Sequence, residues 1–256
     1  MFADAAAYER FMGRWSRPLC PALLDWAGVE SPARFLDVGS GTGNLAFAVA
    51  DRWPQCEVLG IDPSPGFLEH ATGLVTAGRP VRFEQGSAME LPVETGWADV
   101  TIAMLSVNFV PDPAQGVADM RRATRGGGVV AASVWDYGDG MQMLRTFWDA
   151  ASAVDPEGAG AKDEIAMQLS GEGALEGLWQ AAGLTDVVEG TLTVPTAFAS
   201  FEDYWEPFGE GVGPAGDYVR ASAPETVAAL REELRRRFGD AGPSLTARAR
   251  VVRGTA

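Results

Sequence analysis

Between residues 34 and 134 the chain repeats one pattern: a short apolar or β-branched run, a turn, then a segment of helical length. The runs lie at 34–38, 57–61, 80–84, 98–104 and 127–134, and the helical segments at roughly 41–52, 64–77 and 113–125. Strands that read as near-continuous apolar runs are buried on both faces, so this alternation calls for βαβ units and a sheet covered by helices on either side. The expected fold class is α/β, a doubly wound, mostly parallel sheet.

Ligands of such sheets bind at the carboxyl ends of the strands. The first strand end reads FLDVGSGTGNLAF, residues 35–47, with Gly39, Gly41 and Gly43 where the strand must turn into the first helix. Lacking Cβ atoms, glycines let such a turn adopt positive φ and let a ligand touch the backbone. Two ligands compete for it. GTGNLA, read from Gly41, fits the alanine-ended dinucleotide pattern, in which a pyrophosphate sits on the helix N-terminus. Asp37, two residues before the first glycine, puts negative charge beside any such phosphates and suits a cation better. S-adenosylmethionine, with an α-ammonium group and a sulfonium, is such a cation. A P-loop is excluded because no GK[ST] follows. The second strand ends in LGIDPS, and there Asp62 is placed to accept both hydroxyls of a ribose, which fits the adenosine of either cofactor.

Charge narrows the partners. With 35 acidic against 20 basic residues, a net charge of −15 and a pI near 4.4, the chain repels nucleic-acid phosphates. Arg121, Arg122 and Arg125 form one small basic group; the Arg231–Arg237 stretch alternates with Glu232 and Glu233, the pattern of a solvated helix face. Two cysteines, Cys20 and Cys56, and the single histidine, His70, support neither a disulfide framework nor a zinc site. No apolar run approaches the roughly 20 residues that span a bilayer, and the N-terminus lacks the apolar core of a targeting segment. The expectation is a cytoplasmic protein with no metal, no membrane span and no nucleic-acid partner.

The ordered motifs resemble those of class I S-adenosylmethionine-dependent methyltransferases, in particular the small-molecule group that includes ubiquinone and sterol methylating enzymes. LDVGSGTGNLA is similar to that family's first motif, GIDPSPGFLEHA to its second, QGSAMELP to its third, WADVTIAMLSVNFVPDP to its fourth and RATRGGGVVAASVWD to its fifth. Five motifs in order over about 100 residues are far more specific than a lone glycine loop. The resemblance implies a seven-stranded Rossmann-like methyltransferase fold with N-terminal helices and a helical cap. It also implies S-adenosylmethionine as cofactor, S-adenosylhomocysteine as product and a small-molecule methyl acceptor. Asp37 and the backbone of Gly39, Ser40 and Gly41 would then hold the methionine moiety, Asp62 the ribose, and Pro63, Ser87, Ala88 and Met89 the adenine. Ala103, Met104 and Leu105 would line the floor near the sulfonium. One departure stands out: the third motif commonly has an aspartate where this chain has Ser87. The N-terminal YERFMGRWSRP is similar to a subgroup whose first helix closes over the cofactor, which brings Tyr8, Arg14 and Trp15 toward the cofactor or acceptor. Phe11, Trp15 and Leu19 at helical spacing read equally as a core stripe.

Methyl transfer needs an acceptor atom held in line with the S–CH₃ bond, so a protein base is optional. His70 follows Asp62 on the adenosine side and reads as a surface or packing residue. Asn108, after the fourth strand, can orient an acceptor or cap its loop, and with Tyr137 it is the candidate for a catalytic role. Trp135, Tyr137, Tyr204 and Trp205, with Tyr8 and Asn108, are the candidate acceptor contacts, because aromatic rings exclude water and grip apolar groups; the same rings also build ordinary cores. The alternatives are a nicotinamide-dependent oxidoreductase and a methyltransferase-like module that binds the nucleoside without turnover.

Outside the core, residues 5–28 read as one or two helices interrupted at Pro18 and Pro21, 153–166 as a Pro- and Gly-rich break, and 173–182 as a helix ending at Gly183. Residues 185–194 read as a strand, 224–238 as a charged helix, and LTARARVVRG as a closing strand. The domain plan is an N-terminal helical lid (1–30), an α/β core (31–137), a helical cap segment (138–172), and the end of the core sheet (173–256) with a cap insertion at about 196–243.

Overall fold

The computed structural model describes residues 5–164 and 168–256. Seven strands, β1 Arg34–Val38, β2 Glu57–Asp62, β3 Val81–Gln85, β4 Ala98–Met104, β5 Thr124–Trp135, β6 Thr185–Ala197 and β7 Ser244–Thr255, form one sheet in the order β3-β2-β1-β4-β5-β7-β6. Strands β3 to β5 pair in parallel, with Leu36 opposite Leu59 on one side of β1 and Thr101 on the other. The remaining two pairings run antiparallel. Gly127 N–H donates to Ala256 O and Ala256 N–H to Gly128 O, both at 3.0 Å, which joins the start of β5 to the end of β7. Thr185 Oγ1 donates to Thr255 O at 3.4 Å, so the start of β6 likewise lies beside the end of β7. The sheet is therefore mostly parallel, with an antiparallel pair of pairings at one edge.

Strand order reverses between β1 and β4: from β1 the chain winds outward through β2 to β3, then returns to β4 and β5 on the other side. A crevice at the carboxyl ends of β1 and β4 is the geometric result, and an open α/β sheet takes its ligand there.

The helices are α1 Ala5–Tyr8, α2 Arg14–Trp26, α3 Asn44–Arg52, α4 Pro65–Gly73, α5 Pro113–Ala123, α6 Gln142–Val154, α7 Pro156–Gly160, α8 Ala174–Ala181, α9 Phe201–Gly209, α10 Gly213–Ala221 and α11 Pro224–Phe238. Pro18 and Pro21 do not interrupt the N-terminal region as the sequence suggested; both lie inside α2, which follows a π-helical turn at Glu9–Gly13. An interior proline costs about 3 kcal/mol. The carbonyl of Arg14, which Pro18 cannot serve, accepts a hydrogen bond from Thr196 Oγ1 at 3.3 Å. Leu19, Leu23 and Leu24 are at most 1 % exposed, and burying each contributes roughly 1.5–3 kcal/mol, enough to carry the helix across its prolines.

Two compact units partition the chain. The first comprises residues 16–134, 168–192 and 249–256 and contains the crevice. Its core packs Leu36, Val38, Leu59 and Ile61 of β1 and β2 with Val117 and Met120 of α5, Val130 and Val134 of β5, and Trp179 of α8; the Trp179 indole also donates to Val130 O at 3.0 Å. The second unit comprises the described residues of 1–15, 135–167 and 193–248. Its core is aromatic: Phe147 stacks on Phe208 at 4.4 Å between centroids, Trp148 meets Phe147 edge-on at 5.1 Å, and Tyr204 contacts Phe198, Phe208 and Phe238. The break expected around 153–166 is the junction of α6 and α7, where Asp155 caps α7 by accepting from Gly158 N–H at 3.1 Å; residues 165 and 166 lie outside the described residues.

Candidate active site

The loop from Val38 to Asn44 carries β1 into α3. Gly39 has φ +72°, and a Cβ there would stand 2.3 Å from Ser106 Cβ, so no other residue fits against the turn that follows β4. Ser106 Oγ donates to Val38 O at 2.7 Å and fixes that approach. At Gly41, φ is +53° and a Cβ would meet only the Phe67 ring, at 4.0 Å; the backbone here faces open space. Gly39 N–H and Ser40 N–H both donate to Ile61 O, at 2.7 and 3.0 Å, which ties the loop to the end of β2.

Two carboxylates hold this loop from within. Asp37 is 1 % exposed and accepts a hydrogen bond from Ala46 N–H at 3.1 Å. Burial, with a lesser contribution from the charge of Asp62, pushes its carboxyl up to about 7. Asp62 accepts from Gly41 N–H at 2.9 Å and from Ser64 N–H at 2.8 Å, and burial raises it as well. Carboxylate oxygens have two lone-pair sites each, so Asp62 retains acceptor capacity after both backbone bonds. A ligand cation would relieve the desolvation of one acid and the mutual repulsion of both; a diphosphate would add to that repulsion. The Ser40 hydroxyl is buried without a hydrogen-bond partner. Buried polar atoms are nearly always paired, so this one fits a ligand's polar group.

The neighbouring strand ends complete the crevice. Beyond β3, Gly86 N–H donates to Asp62 O at 3.2 Å, and Ser87 Oγ accepts from Met89 N–H at 3.1 Å. Ala88 is half-buried, while Pro63 is exposed, its carbonyl accepting from Gln85 Nε2 at 3.1 Å. Past β4, Ala103 is buried and Leu105 adopts φ +61°. That conformation costs a non-glycine residue about 1–3 kcal/mol, and such strain gathers at ligand sites. Leu105 N–H donates to Ser133 O at 2.9 Å, holding the bend against β5, and the Cys20 thiol lies 3.7 Å from Met104 Sδ. Asn108 is half-buried on a single 3₁₀ turn, Val107–Phe109. Gly41 and Asp62 are thus joined directly by a hydrogen bond, Gly39 and Ser40 are tied to Ile61 O and Asp37 to Ala46 N–H, and Pro63, Ser87–Met89, Ala103–Leu105 and Asn108 occupy the adjoining strand ends.

The remaining candidates belong to the second unit. Arg14 is bidentate to Asp203, at 2.7 and 3.3 Å, and its guanidinium lies 4.4 Å from the Phe198 ring centroid. Trp15 is fully buried and donates to Met143 Sδ at 3.4 Å. Tyr204 is fully buried with its hydroxyl donated to Met143 O at 3.1 Å, and Trp135 is 3 % exposed. Tyr8, Tyr137 and Trp205 are half-buried. His70, in the first unit, is half-buried in the last turn of α4.

Sequence reasoning missed several residues that shape the crevice. Asn44 Nδ2 donates to Ser16 Oγ and Thr42 Oγ1, both at 3.3 Å, which links α2 to the start of α3; nothing local announces so distant a pair. Ser106 could have been found, because it follows a strand end at the switch point.

Residues 35–128 match the family model described as a methyltransferase domain. The chain has the Rossmann-like fold of a methyltransferase domain. Over 131 residues it is 32% identical to malonyl-[acyl-carrier protein] O-methyltransferase of Xylella fastidiosa, a match covering 51% of this chain and 44% of that one. Over 115 residues it is 36% identical to demethylmenaquinone methyltransferase of Deinococcus radiodurans, covering 44% of this chain and 46% of the relative. The chain thus spans about half the length of these two relatives. Among solved structures, phosphoethanolamine N-methyltransferase 2 of Haemonchus contortus, in complex with S-adenosyl-L-methionine, shares the fold with a TM-score of 0.62 at 17% identity, covering 98% of this chain and 56% of that one. The matched methyltransferase domain begins in β1 and ends in β5, so it contains both carboxylates and the glycine loop.

Proposed function

We propose that the protein is a methyltransferase that binds S-adenosylmethionine in the crevice and transfers its methyl group to a small, largely apolar or aromatic acceptor. The observation that carries this reading is the pair of buried carboxylates around the glycine loop, Asp37 and Asp62, arranged for a ligand that is both a cation and a nucleoside. When bound, the cofactor supplies an electrophilic methyl on sulfur. The chain's own residues bind and orient. Asp37 and the loop backbone hold the amino-acid end, with the Ser40 hydroxyl as a further contact. Asp62 holds the ribose, and the Ser87–Met89 turn faces the base. Ala103, Met104 and Leu105 form an apolar floor that excludes water. Asn108 orients an acceptor by hydrogen bonding; as an amide it takes no proton. Of the aromatic residues expected from the sequence to contact an acceptor, Tyr8, Tyr137 and Trp205 retain exposed surface, whereas Trp135 and Tyr204 are packed inside.

Support for a small acceptor comes from two sides. The relatives are named for malonyl-[acyl-carrier protein] and demethylmenaquinone, and the net negative charge opposes polyanions. Cys20 and Cys56 are both buried, and a reducing cytoplasm keeps thiols unoxidised. A calorimetric titration with S-adenosylhomocysteine and, separately, NAD tests the cofactor: tight binding of NAD alone overturns the reading. Incubation with S-adenosylmethionine and a panel of phenols, carboxylic acids, amines and quinols then distinguishes an enzyme from a binding module, which would retain the cofactor and consume none.

A further inference from the structure

Strand order fixes how a nucleoside lies in this crevice. The amino-acid end sits on the loop after β1 and the ribose on Asp62 at the end of β2, and β3 is the next strand outward. The base therefore extends over the turn after β3, residues Gly86–Met89, which Gly86 N–H ties to Asp62 O at 3.2 Å. This step rests on the proposed function.

A ligand base meets no buried carboxylate on that turn. Glu84 and Glu90 are both exposed, and Glu84 pairs with Arg82 at 3.1 Å. Asp62 is committed to Gly41 N–H, Ser64 N–H and the ribose. The half-buried Ser87 is the polar side chain at the turn's start, and its oxygen already accepts from Met89 N–H at 3.1 Å. A hydroxyl has one O–H and two lone pairs, and the O–H rotates to suit its partner. With one lone pair occupied, Ser87 retains both a donor and an acceptor for the ligand.

We infer that Ser87 makes this site tolerant at the purine 6-position, so that it accepts a 6-oxopurine nucleoside nearly as well as a 6-aminopurine one. A carboxylate at position 87 would accept from a 6-amino group and oppose a 6-oxo group, because it has no hydrogen to donate. Hydrogen bonds to charged groups contribute about 1.5–3 kcal/mol, so a carboxylate would separate the two bases by roughly 10- to 150-fold. Ser87 meets either edge with a neutral bond, by accepting from the amino group or donating to the oxo group.

The test uses the full chain and two probes, S-adenosylhomocysteine and its 6-oxo analogue S-inosylhomocysteine, titrated calorimetrically into wild type and Ser87→Asp. The expected result is that wild type binds the two within about 5-fold, while Ser87→Asp favours the adenosyl compound by at least about 10-fold. The variant's aspartate can still accept from Met89 N–H, so the turn survives; melting curves with and without ligand check this. Wild type that binds the adenosyl compound and rejects the inosyl one by more than about 10-fold overturns the inference and leaves the methyltransferase reading intact. An unchanged ratio in a folded Ser87→Asp also overturns it, by placing Ser87 away from the base edge. Failure of wild type to bind either compound overturns the proposed function and this inference with it.

Discussion

Replacing Asp37 with asparagine separates the two effects that this carboxylate carries. The side chain keeps its shape and an oxygen able to accept from Ala46 N–H, now at 3.1 Å, but it loses the charge. In the folded protein the carboxyl is raised from 3.8 to about 7. The sign follows from that direction. A folded-state value above the unfolded one means that the native state holds its proton longer, so stability falls as pH rises from about 4 to about 7 and is level beyond. The penalty by pH 8 is roughly 4 kcal/mol, which Asp37→Asn does not incur. The variant should melt at nearly the wild-type temperature at pH 4 and clearly above it at pH 8. Binding should move the other way. The ligand's α-ammonium group requires the ionised acid, so wild-type affinity for S-adenosylhomocysteine, which keeps that ammonium and lacks the sulfonium, should weaken by up to about tenfold per pH unit below 7 as binding releases a proton. Asp37→Asn should bind roughly 10- to 150-fold more weakly above pH 7, the loss expected of one charge-assisted bond, and show a flatter profile between pH 6 and 8.5. Calorimetry across that range, repeated in two buffers of different ionisation enthalpy to count the proton, reads both quantities. A wild-type affinity independent of pH, or an asparagine variant that binds as tightly as wild type, would refute the electrostatic argument.

Gly39→Ala should destabilise by more than about 1 kcal/mol, since it combines positive φ with a Cβ only 2.3 Å from Ser106 Cβ; adding Ser106→Gly should restore part of the melting temperature by removing the obstruction. Tyr204→Phe should lower stability by about 1–3 kcal/mol in chemical denaturation, because it strips the Met143 carbonyl of a buried partner, and should leave the S-adenosylhomocysteine Kd unchanged. Glu164, whose carboxylate accepts from the Trp148 indole at 2.7 Å, is pushed up by burial to about 7. Its contribution to stability therefore falls as pH rises from about 4.5 to 7. Glu164→Gln should accordingly melt higher than wild type at pH 8 and converge with it near pH 4.

Elements specified by their own residues were legible in the sequence. The helix expected at 224–238 is α11, Pro224–Phe238, with proline in its first turn and Gly239 at φ +72° just after it. The glycine loop and both strand-end acids were visible for the same reason, since a positive-φ turn and an acid closing an apolar run are local features. Partners distant in sequence shifted the rest. β5 starts at Thr124, before the 127 suggested by its apolar run, because Thr124 pairs with Ala98 of β4 ahead of a shift in register. α2 passes through its prolines on the strength of burial and of Thr196. The aromatic residues of the second unit were ambiguous on physical grounds: rings at helical spacing build a core as readily as a pocket. Phe147, Tyr204 and Phe208 are fully buried against one another.

Three unfavourable features of the first unit converge on the carboxyl ends of β1 and β4, where strand order reverses. Asp37 ionises against burial, the Ser40 hydroxyl is buried without a partner, and Leu105 holds a left-handed conformation. None improves the fold, and each could be removed by one substitution. Local rules that a sequence otherwise obeys tend to be broken where function requires it. A cationic ligand group would offset the first and a hydrogen-bonding group the second, and the third shapes the floor beneath the crevice. Without ligand the crevice therefore carries the cost of a desolvated acid and an unpaired hydroxyl, and a bound ligand would offset those two. The ligand should stabilise this unit beyond what its contact area alone implies, since part of the gain is an offset to desolvation and an unmade hydrogen bond already present in the fold.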